Sequence, residues 1–176
     1  GACLLLVAQD ITERKQAESQ MRKLSRALEQ TADAVLITDR DGVIEYVNPA
    51  FEQVSGYASA EAVGRQPNLL KSGRQGPRFY ENLWKTILAG EVFNDVLINR
   101  RKDGSLYYEE KTITPIKDAD GHITHFVATG KDITERMQTQ ERLAFMAQHD
   151  PLTELPNRAL LLDRLKQSLA GARWRE

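Results

Sequence analysis

Residues 11–30 form a polar run without glycine or proline, and apolar or small side chains recur in it at a four-three-four spacing. On a helix, this spacing places them in one narrow stripe. We call it the seam stripe, and it consists of Ala17, Met21, Leu24 and Leu28. A stripe this narrow favours a seam between two helices over burial against a sheet, so it predicts a coiled-coil homodimer. A solvated single helix is the alternative.

From residue 34 the pattern changes to runs rich in β-branched and aromatic residues. Asp41-Gly42, Asp103-Gly104 and Asp120-Gly121 separate these runs, and an Asp-Gly pair between two such runs predicts a hairpin turn. The predicted strands cover residues 34–38, 43–47, 92–101, 105–117 and 122–130. Polar and apolar residues alternate along the fourth strand, which indicates an antiparallel sheet but leaves open which face of that strand is buried.

Helical and irregular segments separate the second predicted strand from the third. A short helix is predicted to begin at Pro49, with Asn48 as its cap, and to end at Gly56. Residues 64–76 are rich in glycine and polar side chains and are predicted to be a loop. The run 77–90 has a broad apolar face and predicts a longer helix lying across the sheet. A sheet with its helices gathered on one face is an α+β fold.

Composition excludes several classes of protein. The 176 residues are 41% hydrophobic and 28% charged, which gives a soluble chain with room for one core. The net charge of −1 gives no electrostatic reason to expect nucleic acid as a partner. Cys3 is the only cysteine, so neither a disulfide framework nor a cysteine metal site is predicted. The longest apolar run, Ala2–Ala8, is far below the roughly 20 residues of a membrane-spanning helix, and we expect a cytoplasmic fragment.

One pentapeptide occurs twice in the chain. Asp10–Arg14 recurs letter for letter as Asp132–Arg136, and each copy follows an apolar stretch and leads into a charged, helix-forming run. The offset of 122 residues (132 minus 10) exceeds the period of solenoid repeats, which is about 20–50 residues. It is about the length of one small domain with its connecting helix. We therefore expect the end of one module followed by a complete second module.

The repeated junction is a candidate site of signal transfer. The aspartate and threonine of each copy can cap the exit helix while bonding back to the preceding strand, which would couple sheet to helix. A purely structural cap fits the sequence equally well. The predicted junction residues are Asp10, Thr12, Asp132 and Thr134. Another polar cluster, Arg100-Arg101-Lys102, is interpreted as a solvated turn rather than a phosphate site.

Several motifs, in order along the chain, resemble PAS sensor domains. The matching segments are Ile37-Thr38-Asp39, Asp41-Gly42, Tyr46–Phe51, Gly56-Tyr57, Arg100–Gly104, Pro115-Ile116 and Asp132–Arg136. The resemblance implies a five-stranded antiparallel sheet with helices on one face that enclose a cavity. PAS domains hold haem, flavin, a small acid or nothing in that cavity. Residues 1–9 then correspond to the last strand of an upstream PAS domain, residues 10–30 to a connecting helix, and residues 31–136 to the PAS domain itself.

A second resemblance begins near the C-terminal end. The run His149–Arg158 is similar to the opening of a GGDEF diguanylate cyclase domain, although Glu154 replaces the usual glycine. The resemblance implies a linker helix over residues 137–148 and the start of a GGDEF domain over residues 149–176. The signature that holds metal and guanine nucleotide in that family would lie beyond Glu176. The fragment is therefore expected to be non-catalytic, and its parent to be a cyclase that makes cyclic di-GMP.

Each cofactor of PAS domains requires particular residues. Haem usually requires a histidine on the long helix, and the run 77–90 has none, so haem is not expected. His122 and His125 are interpreted as exposed strand residues. Light-sensing flavin PAS domains require a cysteine beside the flavin ring, and Cys3 lies outside the domain.

FAD is the cofactor whose binding the resemblance does not exclude. Trp84 and Asn99 match positions that contact flavin in redox-sensing PAS proteins. Trp84 could pack against the ring, and the Asn99 amide could bond to its polar edge. Pro67 and Leu36, however, stand where that subfamily has polar flavin contacts. The alternative is that Trp84 is a core aromatic residue and Asn99 a satisfied strand residue.

The sequence thus favours a sensory PAS module that dimerises and relays a signal from an upstream PAS domain to a downstream cyclase. A PAS redox sensor that binds FAD is the alternative function.

Overall fold

A computed structural model describes residues 11–148, 150, 153, 155–157 and 161. The chain divides into two compact units, residues 1–132 and residues 133–176. The first unit contains α1 (Ile11–Gln30), β1 (Ala34–Asp39), β2 (Ile44–Val47), α2 (Pro49–Ser55), α3 (Ser59–Ala62), a 3₁₀ helix (Pro67–Leu70), α4 (Pro77–Leu88), β3 (Phe93–Arg100), β4 (Leu106–Lys117) and β5 (Ile123–Asp132). The second unit contains α5 (Thr134–Gln148). In the described part of the chain, no helix is both long and apolar enough to cross a membrane.

The five strands form one antiparallel sheet in the order β2-β1-β5-β4-β3. One row of side chains crosses all five strands on the inner face, because each member is paired in register with the next and all are buried. The row consists of Val47, Leu36, Ala128, Ile113 and Phe93. It forms the floor of the hydrophobic core.

Helices α2, α3 and α4 cover the inner face. Phe51 of α2, Ala62 of α3, and Leu83 and Ile87 of α4 join the inner-face strand residues in a single hydrophobic cluster. The spacing of Leu83 and Ile87, four residues apart, turns one face of α4 toward the sheet. The predicted α+β fold with a five-stranded antiparallel sheet is therefore confirmed.

The predicted loop 64–76 is more ordered than its composition indicates. It contains the 3₁₀ helix, whose Leu70 is buried, and a stretch that runs along the outer edge of β3. There the Gln75 side-chain amide donates to Val96 O and accepts from Ile98 N, at 3.0 and 3.2 Å. These contacts imitate a neighbouring strand, and they block the pairing of the β3 edge with another chain.

Helix α1 presents the seam stripe to solvent. The exposed fractions of Met21, Leu24 and Leu28 are 71%, 64% and 37%, and Ala17 is also exposed. In the second unit, α5 likewise leaves large apolar side chains exposed, namely Leu143, Phe145 and Met146. Whether α1 forms a dimer seam stays a prediction.

Candidate functional site

A cavity of about 280 Å³ lies between the inner face of the sheet and the helices that cover it. Most of its wall is apolar, formed by Leu36, Leu70, Leu83, Ile87, Leu97, Ile113 and Phe126. Polar side chains enter this wall at a few points only. Such a cavity, apolar with a few placed polar groups, is the usual form of a small-molecule site.

A buried polar cluster on β3 and β4 forms one part of the site. The Asn99 side-chain amide donates to Glu109 Oε2 at 2.5 Å, and Lys111 Nζ donates to the same oxygen at 3.0 Å. All three residues are at least 95% buried, and Asn99 and Lys111 line the cavity. Removing one partner of a buried ion pair typically costs about 3–5 kcal/mol, so Glu109 and Lys111 depend on each other.

Gly130 on β5 makes room for this cluster. A Cβ atom at position 130 would overlap the Glu109 carboxylate, so any larger residue there would force that carboxylate to move. The Glu109 carboxylate is therefore packed against the backbone of β5, two residues before the end of that strand. Glu109 and Lys111 were missed as site residues, because the alternation along β4 does not by itself say which face is buried.

Trp84 and Asn99, the two predicted flavin contacts, line the same cavity. Trp84 is not fully buried: 39% of its surface is exposed, and it packs edge-on against Phe126 with the ring centroids 6.3 Å apart. The interpretation of Trp84 as an ordinary core residue is therefore wrong. The indole also contacts Gly42 and separates the cavity from an outer cleft that it helps to line. Leu36 and Pro67 line the cavity as well.

Tyr80 on α4 is a further polar residue of the cavity, and the sequence analysis did not single it out. Its hydroxyl is buried and has no hydrogen-bond partner among the described residues, while Lys71 Nζ lies 4.4 Å from its ring centroid. Burial raises the pKa of Tyr80 above its usual value, so the hydroxyl stays protonated at neutral pH. Its position on the apolar face of a helix was the only signal in the sequence.

Asp132, a predicted junction residue, forms an ion pair at the end of β5. Its Oδ2 atom lies 2.6 Å from Arg101 Nη2, and Arg101 also donates to Val54 O at the last turn of α2. The Arg101 guanidinium lies 4.5 Å from the centroid of the Tyr107 ring. The interpretation of Arg101 as part of a solvated turn is therefore wrong, because the tight turn directs this side chain back toward the domain.

The neighbours of Arg101 do remain in solvent. Arg100 is exposed, and Lys102 forms an exposed ion pair with Glu61 at 2.6 Å. Thr134 is the first residue of α5. Asp10 lies outside the described residues, and Thr12 lies in the first turn of α1, where the side chains are not described. The capping role of the four junction residues stays a prediction.

Asn48 links three elements of the domain. Its Oδ1 atom accepts from Phe51 N, which caps α2, and also from Val35 N of β1. Its Nδ2 atom donates to Leu28 O of α1 and to Asp33 O. The sequence predicted the cap but not the bonds that hold the end of α1.

The described histidines stand outside the cavity lining. His122 precedes β5, with 79% of its side chain exposed, and lies near Asp118. His125 lies on β5, with its Nε2 atom 3.3 Å from Glu45 Oε2, and is 41% exposed. The predicted GGDEF start falls almost entirely outside the described residues, as does Cys3.

A family profile for the PAS fold matches residues 22–133, and the chain belongs to this family. PAS domains are sensor domains of signalling proteins. The chain is 34% identical over 116 residues to a nitrogen fixation regulatory protein of Klebsiella oxytoca, which covers 66% of this chain and 23% of that protein. It is also 31% identical over 172 residues to a probable diguanylate cyclase of Escherichia coli, which covers 93% of this chain and 15% of that protein. The chain thus spans less than a quarter of the length of these relatives.

Among solved structures, the fold is similar to a light-oxygen-voltage domain from a study of its mechanism with a flavin analogue. The TM-score is 0.58 at 25% sequence identity, and the match covers 69% of this chain and 96% of that one.

Proposed function

We propose that the chain is a sensory PAS module that dimerises through α1 and relays the state of its cavity to a diguanylate cyclase domain of the same parent protein. The similarity to the Escherichia coli protein supports this, since it extends over 93% of the chain and therefore past the PAS domain. The resemblance of residues 149–158 to the start of a GGDEF domain supports it independently.

The observation that carries the proposal is the attachment of α1 to the sensor core. The last turn of α1 is held by Asn48, which also holds β1 and α2, while the seam stripe on the same helix remains exposed. A movement of β1 or α2 would therefore reach α1 through one buried side chain. Two such helices joined along their stripes would hold two sensors side by side, so the output domains that follow α5 in the two chains would also be paired.

Dimerisation is tested by the double variant Met21→Glu/Leu24→Glu, which alters the two most exposed large apolar residues of the seam stripe. We expect a monomer, because a seam would have to bury two carboxylates at a cost of several kcal/mol. The matched control is Ser19→Glu/Arg26→Gln, which adds the same charge on the opposite side of α1. Light scattering gives the masses. A monomeric wild type, or equal masses for the two variants, contradicts the proposed dimer.

A PAS redox sensor that binds FAD is the second candidate function. Trp84 and Asn99 line one cavity, and the similar light-oxygen-voltage domain was studied with a flavin analogue. Trp84 and Asn99 would hold the ring, which would supply electron-transfer chemistry when bound. The apolar Leu36 and Pro67 in the same wall weigh against a tight fit. The visible absorbance of freshly purified protein tests this candidate, and the absence of a flavin band after incubation with excess FAD and desalting rejects it.

A further inference from the structure

The charged groups that line the cavity are all of one sign. Among the described residues of the lining, Lys71 and Lys111 are the charged ones, and no carboxylate joins them. Glu109, which holds Lys111, is itself not part of the lining. A molecule in the cavity can therefore contact ammonium groups of the lining but no carboxylate.

Lys111 is held in place by an ion pair that does not use all of its hydrogen-bond donors. An ammonium group has three N–H donors, and Lys111 directs one of them to Glu109 Oε2. The side chain is only 6% exposed, so the remaining donors have little access to bulk water. An oxygen acceptor inside the cavity could satisfy them.

The Tyr80 hydroxyl needs a partner in the same cavity. It is buried without a hydrogen bond in the described part of the chain, and native proteins seldom leave such a group unsatisfied. The usual pKa of a tyrosine is about 10, and burial raises that of Tyr80 further, so the hydroxyl keeps its proton at neutral pH and can donate a hydrogen bond. It would bond to an acceptor on an occupant.

The size and wall of the cavity restrict that occupant further. A volume of about 280 Å³ is near the lower end of small-molecule sites, which measure roughly 300–1,000 Å³. Trp84 and Phe126 place aromatic surface in the wall. This environment suits a compact, planar, apolar body.

From these observations we infer that the cavity binds a small aromatic carboxylate, with its ring against the apolar wall and its carboxylate oxygens held by Tyr80 and Lys111. Such a ligand would be the input to the sensory function proposed above, on which its biological meaning rests. The oxygen-bearing edge of a flavin ring shares part of this chemistry, so the experiment separates the two sources.

The test is calorimetric titration of the full 176-residue chain with three probes. 2-Naphthoate carries the proposed chemistry, 2-naphthylmethanol is its neutral counterpart, and riboflavin represents flavins. We expect 2-naphthoate to bind at least about tenfold more tightly than the alcohol, since a hydrogen bond to a charged group contributes about this factor. Equal binding of acid and alcohol, no binding of the acid, or binding of riboflavin alone overturns the inference.

The variant Tyr80→Phe distinguishes a ligand-binding role of the Tyr80 hydroxyl from a purely structural one. It keeps the ring beneath Lys71 and removes only the unpartnered hydroxyl. We expect the melting temperature of the unliganded protein to stay equal or rise, while the affinity for 2-naphthoate falls about tenfold. A lower melting temperature with unchanged affinity would show that Tyr80 is merely structural.

Lys111 is tested together with its partner, because Lys111→Met alone would leave Glu109 buried and unpaired. In Glu109→Gln/Lys111→Met we expect the preference for the acid over the alcohol to disappear. A retained preference overturns the role of Lys111, and Tyr80→Phe decides the inference if the double variant does not fold. The mass from light scattering on the same samples reports on dimerisation separately, so a failure of this inference is distinguishable from a failure of the proposed function.

Discussion

Asn48 uses all four hydrogen bonds that its side-chain amide can make. Two backbone N–H groups donate to Oδ1 at 2.8 and 3.0 Å, and Nδ2 donates to two backbone carbonyls at 3.1 and 3.0 Å. No other side chain offers two donors and two acceptors at this length, because glutamine is longer by one methylene group. Asn48 therefore holds α1, β1 and α2 together and does not only cap the start of α2.

Tyr107 makes the stability of the domain sensitive to alkaline pH. It is almost completely buried, and burial, together with the nearby Glu109 carboxylate, raises its pKa far above the usual value of about 10. The unfolded chain therefore loses the phenol proton at a pH where the folded chain still holds it. This contribution to stability is complete below about pH 10 and is lost as the pH rises above it, by up to about 1.4 kcal/mol per pH unit.

Urea unfolding across this pH range measures the loss. We expect Tyr107→Phe to show a shallower decline of the unfolding free energy above about pH 10 than the wild type. Tyr57→Phe is the control for the removal of a tyrosine hydroxyl elsewhere. An identical decline in the wild type and Tyr107→Phe would contradict the prediction.

Some residues of the candidate site could be predicted from the sequence, and others could not. The family resemblance marks Trp84 and Asn99 individually, and both line the cavity, while their role as flavin contacts stays a prediction. Glu109 and Lys111 were missed, because two opposite charges on one face of an alternating strand ordinarily indicate the solvent side. Tertiary contacts bury the carboxylate, among them one with Gly130, which lies 21 positions further along the chain (130 minus 109).

Among the elements, the β3–β4 turn attaches the last turn of α2 to the end of β5. Arg101 connects them through Val54 O and Asp132, with less than a third of either ion-pair side chain exposed. We expect Arg101→Ala to lower the unfolding free energy by about 1–2 kcal/mol, since it removes a partly shielded ion pair, a hydrogen bond and packing on Tyr107.

The adjacent Lys102 provides a matched comparison for this variant. Its ion pair with Glu61 is equally short but exposed, so Lys102→Ala should lower the unfolding free energy much less than Arg101→Ala does. Chemical denaturation of both variants decides the matter. Equal effects would mean that the Arg101 contacts add nothing beyond an ordinary surface pair.

The elements themselves were predictable where local chemistry determines them. Hairpin turns at Asp-Gly pairs and a capped, proline-initiated helix require only neighbouring residues. The ordered stretch 67–75 was not predictable from composition, because its order depends on Gln75 bonding to β3 more than twenty residues away. The seam stripe stays a prediction for a related reason: its partner helix would belong to another chain.

For the whole molecule, the polar cluster gives the cavity a connection to the exit of the domain. Asn99 and Lys111 line the cavity and both bond to Glu109, which is packed against β5 at Gly130. An occupant that draws Lys111 away would shift this carboxylate. The disturbance would reach β5 two residues before Asp132, where the repeated junction begins. A bias of a few kcal/mol at this point is enough to change the population of a two-state connector.

The final prediction concerns the repeated junction. If Asp132 and Thr134 fasten the start of α5, alanine at both positions should loosen that helix while the buried row of the sheet keeps the core folded. We expect amide hydrogen exchange to become about 2- to 30-fold faster over residues 133–140, as the loss of a cap of about 0.5–2 kcal/mol implies, and to change less within the strands, where only the loss of the Arg101–Asp132 ion pair acts. In a full-length parent, ligand binding should persist while cyclase output no longer responds to it.

Lys131→Ala/Glu135→Ala, which alters exposed residues of the same stretch, is the control. An equal acceleration over residues 133–140 and across the whole sheet would make Asp132 and Thr134 ordinary determinants of stability, and intact regulation would make the junction a simple linker.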